Sequence, residues 1–289
     1  MRFCKFVVLT ASLVGLDGAS AQSVPRAIFT DPPVDAAHPA KMTVLHIPSH
    51  GLLINGVIYQ PSGAGPHPTL VICHGLPGNE KNLDLAQAVR RAGWNAVTFN
   101  YRGSWGSPGN FRFTQNLEDG DAVLAFLRDR STAEKLQIDP ARIVMAGHSM
   151  GGWVAAQVAA HDKGLIGLVL ISAADIGRSG ESPMDKLAAM AADNMESLAG
   201  VTAKSMAEEL KANAAKFRLE NVAPGLVGLP LLALTADDGL APHTDALVAA
   251  IQAAGGRKIT SQHVATDHSW SDHRIALESA VIEWLAALH

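Results

Sequence analysis

From residue 42 onward the chain alternates between short, continuous apolar runs and stretches whose apolar residues recur three and four positions apart. A run that is apolar at every position is a strand covered on both faces, and the wider spacing is one face of a helix. The runs predict strands at Thr69–Cys73, Asn95–Phe99, Arg142–Ala146, Leu165–Ile171, Pro230–Leu234 and Lys258–Val264. Between them the spacing predicts helices over Asn79–Ala92, Leu117–Arg130, Gly151–His161, His243–Ala254 and Ser271–Leu288. Glu118, Asp119 and Asp121 then fall near the positive end of the second of these helices. Ahead of the series, Met42–Ile47 and Leu52–Tyr59 read as two strands joined by the turn residues Pro48 to Gly51. Residues 22–40, rich in Pro and Ala, show no period and read as a loose arm.

Strands separated by helices form a mainly parallel sheet with helices on both faces. The expected fold is therefore α/β, with a sheet of about eight strands. A closed barrel shares the alternation, but the paired first strands and the gap at residues 172–229 argue against it. That gap is too long for a structureless loop in a compact domain. It carries helical spacing near Pro183–Leu198 and Thr202–Leu219. It reads as a small helical cap inserted into one domain spanning 22–289. The alternative is two surface helices that never meet a substrate.

Composition narrows the function. Hydrophobic residues make up 48 % of the 289 and charged residues 17 %, ample for a large core and wrong for a disordered chain. A formal net charge of −4 without any basic block argues against nucleic acid as a partner. At the N-terminus, Arg2 and Lys5 lead into an apolar run from Phe6 to Leu16, followed by Ala19-Ser20-Ala21. Those three features in that order are a secretory signal peptide, residues 1–21, with a run too short to span a bilayer. The expectation is export to the periplasm or medium and no membrane span in the mature chain. Of the two cysteines, Cys4 leaves with the signal and Cys73 ends an apolar strand, which suits a buried, inert thiol.

The chemistry concentrates at Gly147-His148-Ser149-Met150-Gly151, a G-x-S-x-G pattern between a predicted strand and a predicted helix. Such a turn forces the serine into strained backbone and leaves no room for side chains at 147 and 151. It also points the Ser149 hydroxyl at a helix N-terminus, which favours a developing anion. The Met150 N–H, following the nucleophile, is one expected donor to an oxyanion. A serine nucleophile needs an imidazole base, and the chain has twelve histidines. His268 follows the last strand, whereas His263 lies inside that strand and His273 inside the final helix. His148 reads as a packing or rim residue. Zinc-protease, Walker and dinucleotide signatures are absent from the sequence.

Taken together, residues 42–288 resemble the α/β-hydrolase-fold serine hydrolases, most of all the dienelactone-hydrolase-like and serine-peptidase-like esterases. Three further segments carry the resemblance: His74-Gly75-Leu76-Pro77-Gly78, Tyr101 to Gly109, and Leu232 to Pro242. The resemblance implies His268 as base and the Leu76 N–H as the second oxyanion donor, with His74 packing that loop. It implies an acid after the strand Pro230–Leu234, favouring Asp238, four residues before Pro242, over Asp237 as a turn residue. Arg102 is open between binding a substrate carboxylate and anchoring its own loop. The function implied is a secreted serine hydrolase acting on small-molecule carboxylic esters through Ser149, His268 and Asp238, a reaction that needs no cofactor and no metal. Two alternatives stay open. One is an aminopeptidase-like amide hydrolase, with Glu181, Asp185, Asp193 or Glu196 receiving a substrate amine. The other is a non-catalytic binding protein on the same fold.

Overall fold

The computed structural model describes residues 24–288 and has the expected α/β architecture. The signal peptide expected at residues 1–21 lies outside the described residues. One sheet contains β1 (Lys41–Ser49), β2 (Leu52–Gln60), β3 (His67–Cys73), β4 (Asn95–Phe99), β5 (Ile138–His148), β6 (Leu165–Ile171), β7 (Leu231–Ala236) and β8 (Ile259–Val264). Their order across the sheet is β1-β2-β4-β3-β5-β6-β7-β8. The pairs β1–β2 and β2–β4 are antiparallel, and the rest are parallel.

The helices are α1 (Arg26–Phe29), α2 (Leu83–Arg91), α3 (Phe113–Arg128), α4 (Arg130–Leu136), α5 (Met150–His161), α6 (Ile176–Gly180), α7 (Met184–Ala192), α8 (Ala203–Asn213), α9 (Ala223–Leu226), α10 (Ala241–Ala253) and α11 (Arg274–Ala286). A 3₁₀ turn at Leu219–Val222 precedes α9. None of the described helices is long and apolar enough to cross a membrane.

The central strands carry unbroken apolar runs where both faces are covered. On β3, Val71 and Cys73 join the cluster under α3 and α5, while Leu70 and Ile72 join the cluster under α2 and α11. Ile143 and Met145 of β5 face the first cluster, and Val144 and Ala146 the second. Successive side chains on a strand point to opposite faces, so one unbroken run feeds two cores.

One sequence expectation needs correction. The helix expected from Leu117 begins at Phe113, which moves Glu118 and Asp119 into its interior. There Asp119, fully buried, accepts from the Arg102 Nε at 2.6 Å, the Arg102 N–H at 2.8 Å and the Ser49 hydroxyl at 2.6 Å. Arg102 also reaches Glu118 at 2.6 Å. Its backbone N–H, Nε and Nη2 are all held by α3, so it anchors its loop.

The segment 172–229 contributes Leu187, Met206, Leu210, Phe217 and Leu219 to the larger of the two cores. It is also sewn to the loop after β4: Trp105 N–H donates to Ser197, Phe111 N–H to Ala199, and Ala199 N–H to Gly103. Residues 172–229 are thus an integral layer of the domain.

Candidate active site

The C-terminal ends of β3, β5, β7 and β8 open on one side of the sheet, where parallel α/β folds place their ligands. β5 ends at His148, and α5 begins at Met150. Ser149 between them has φ 58° and ψ −124°. A non-glycine residue held there costs on the order of 1–3 kcal/mol, so the surroundings must enforce it. Close packing does so. A Cβ on Gly147 would strike the Gly151 backbone, and one on Gly151 would strike the Cys73 carbonyl. A Cβ on Gly75 would come within 3.0 Å of the Ser149 Cβ. Ser149 N–H is held by the Ile171 carbonyl at 3.0 Å, which ties the turn to β6.

Ser149 and His268 line one cleft of about 130 Å³. Its other walls are Gly75 to Glu80 after β3, together with His148 and Ser269. Leu76 is therefore at the cleft beside Ser149. Met150 is the first residue of α5, where backbone N–H groups have no acceptor within the helix. Larger clefts exist, one of about 790 Å³ against α3 near His50 and Glu118, but neither Ser149 nor His268 lines it.

His268 Nδ1 is 2.7 Å from Asp238 Oδ2. The Asp238 side chain is 2 % exposed and that of His268 is 39 % exposed, so the carboxylate is walled in and the imidazole reachable. Burial pushes the Asp238 carboxyl up, but hydrogen bonds from His268, the Leu240 N–H and the Ser172 hydroxyl outweigh it and hold it below the ordinary range. Trp270, fully buried, donates its indole N–H to Ser172 at 3.1 Å and locks that hydroxyl in place. Asp237 turns the other way. It bonds His263 Nε2 on β8 at 2.9 Å, at the surface. His273 sits at the start of α11 beside Asp272 and does not line the cleft.

The loop after β3 has its own support. His74 is buried, its Nδ1 bonds the Gly75 carbonyl at 2.8 Å, and burial pushes the ring down to about 4. Trp105 Nε1 at 2.6 Å and the Ser197 hydroxyl at 3.3 Å both donate to the Pro77 carbonyl. The roles of Trp105, inside the Tyr101–Gly109 segment, and of Ser197, outside any motif, were not legible in the sequence, because neither residue type signals which carbonyl it braces. Cys73 is buried, and burial pushes its thiol up to about 12.

Residues 70–286 match the alpha/beta hydrolase family. The chain belongs to that family. An uncharacterised protein of Mycobacterium tuberculosis (strain ATCC 25618 / H37Rv) is 29 % identical to this α/β hydrolase over 129 residues, 44 % of each chain. The chain thus spans less than half the length of that curated relative. Among solved structures, EstE1, a thermostable carboxylesterase cloned from a metagenomic library, superposes with a TM-score of 0.64 at 22 % identity, covering 87 % of this chain and 91 % of that one. The acylaminoacyl peptidase of Pyrococcus horikoshii gives 0.66 at 16 % identity, over 86 % of this chain and 42 % of that one. At such identities the likeness is one of fold.

Proposed function

We propose that this α/β hydrolase is an exported serine hydrolase that cleaves small carboxylic esters through Ser149, His268 and Asp238. Ser149 attacks the carbonyl carbon while His268 takes its proton, and the acyl group passes to the serine oxygen. Asp238 holds the imidazole in its working tautomer and stabilises its cation. The Met150 and Leu76 N–H groups receive the oxyanion. His268 returns the proton to the departing alcohol, and a water molecule activated by His268 then releases the acid. Export rests on the leader pattern at residues 1–21.

The observation that carries the reading is the 2.7 Å bond between His268 and a buried Asp238, with His268 and a strained Ser149 lining the same cleft. The size of the cleft, about 130 Å³, favours short acyl groups. The amine-binding acids of the peptidase alternative find no support. None of the four lines the cleft, and Glu181 is engaged with Arg218 at 2.5 Å.

The test is turnover of p-nitrophenyl acetate, butyrate and octanoate, with fluorophosphonate labelling, for the wild type and Ser149→Ala. Acetate should be the best substrate, and the variant should lose at least ~10⁴-fold in kcat and all labelling. Equal rates in both proteins, or a labelled Ser149→Ala, would remove the serine mechanism.

A further inference from the structure

We propose that His148 is a positioning residue for the base: its ring N–H, donated to the His268 carbonyl, fixes the loop carrying His268 relative to Ser149. This rests on the serine-hydrolase reading above. His148 Nε2 lies 2.8 Å from the His268 carbonyl oxygen. The two imidazoles also touch, with centroids 4.6 Å apart and planes tilted by 40°. One contact holds the backbone of residue 268, and the other braces its ring. His148 is the last residue of β5 and pairs with Ile171 of β6, so it is tied into the sheet. It is also adjacent to Ser149. Nucleophile and base are thereby referenced to the same strand end.

The protonation state follows from the partners. A carbonyl only accepts, so Nε2 must carry the hydrogen. Nδ1 is buried with no hydrogen-bond partner among the described residues, so a second proton there would have no acceptor. Burial first, and the charge of His268 second, push the His148 ring down to about 4, against the opposing pull of its hydrogen bond to the His268 carbonyl. His148 therefore stays neutral while His268 gains and loses its proton beside it. Reacting groups displaced by about 1 Å lose on the order of 100-fold in rate, which is why such a brace matters.

Two substitutions separate the roles. His148→Phe keeps a ring against His268 and loses the donor, whereas His148→Gln keeps an N–H at similar reach and loses the ring. On p-nitrophenyl acetate, His148→Phe should lower kcat about 10- to 100-fold with KM within ~3-fold, and His148→Gln should recover most of that loss. The acid limb of kcat/KM should move to lower pH in His148→Phe, because a loosened imidazole is less well stabilised as a cation by Asp238. A wild-type kcat and acid limb in His148→Phe would overturn the proposal, as would a folded His148→Gln that loses as much as the Phe variant. Should His148→Phe fail to fold, the Gln variant alone decides: a loss beyond ~10-fold overturns it.

A second readout needs no turnover. In a Ser149→Ala background, the far-downfield proton on His268 Nδ1 should be sharp in the parent and in His148→Gln, and broadened in His148→Phe. If that pattern holds while the wild type shows no turnover that Ser149→Ala abolishes, the positioning contact stands and the hydrolase reading falls. An unchanged resonance in His148→Phe overturns the contact itself.

Discussion

Asp237 and Asp238 carry the same side chain, one residue apart, and end up with opposite partners. β7 stops at Ala236, and in the turn that follows the two side chains diverge. Asp238 therefore meets His268 while Asp237 meets His263. Replacing Asp238 with Asn should cut kcat by roughly 10³- to 10⁴-fold, because the amide favours the wrong imidazole tautomer. Asp237→Asn, at the surface, should stay within about 2-fold. Steady-state rates on one ester decide between them, and equal losses would contradict the division of labour. Ser149 was legible in the sequence because its backbone demands two glycines at fixed offsets, and steric demands leave a pattern. The His148 contact was not. It joins residues 120 positions apart, and histidine is compatible with many other uses at that turn.

Helix α3 begins four residues earlier than its own sequence announces, and the cause lies in another element. Its first N–H groups are satisfied by Glu209 of α8: the carboxylate accepts from Phe113 N–H at 3.1 Å, Thr114 N–H at 3.0 Å and the Thr114 hydroxyl at 3.0 Å. A capping side chain normally sits at the helix start, and Arg112 there makes no such bond. No local reading finds a cap supplied from about a hundred residues away. The strands were legible for the converse reason, since burial on both faces writes itself as unbroken hydrophobicity. Glu209→Ala should lower stability by about 1–2 kcal/mol in urea titration. Glu208→Ala, beside it and exposed with only Lys204 at 3.6 Å, should change little. Because residues 172–229 supply this cap and share the main core, deleting them should unfold the protein. Their influence on substrates should run through Ser197 and the Pro77 carbonyl: Ser197→Ala should alter the ratio of acetate to octanoate turnover while leaving Ser149 labelled at its normal rate. Unchanged ratios would confine the segment to a structural role.

Across the whole molecule, buried ionisable groups set how stability depends on pH, and their signs compete. His74 and His148 are each pushed by burial from 6.5 to about 4. Between those values the unfolded chain binds protons that the native rings refuse, so each costs stability as pH falls from about 6.5 to 4, on the order of 3 kcal/mol per ring. Glu278 opposes them. Burial first, then the neighbouring Asp84, push it from 4.5 to about 7, with Arg274 and Arg91 opposing. It holds a proton that the unfolded chain has released, and so costs a similar amount as pH rises from about 4.5 to 7. Two groups outweigh one, so stability should rise from pH 4 to 6.5, and Glu278→Gln should steepen that rise. Chemical denaturation at half-unit pH steps measures it, and a flat profile in Glu278→Gln would contradict the balance. None of this was legible beforehand, since which histidines are dry depends on packing that no local pattern encodes.

The burial of Cys73 has a consequence in time. Alkylation needs a thiolate and an open path, and the native state withholds both, with the sulfur buried on the central strand β3 and its thiol held near 12. A maleimide can reach it only in molecules whose sheet has come apart. At reagent levels high enough to trap every opening, the rate at which Cys73 gains mass should equal the global unfolding rate. One sulfur atom thus serves as a clock for how often the folded protein lets go of itself.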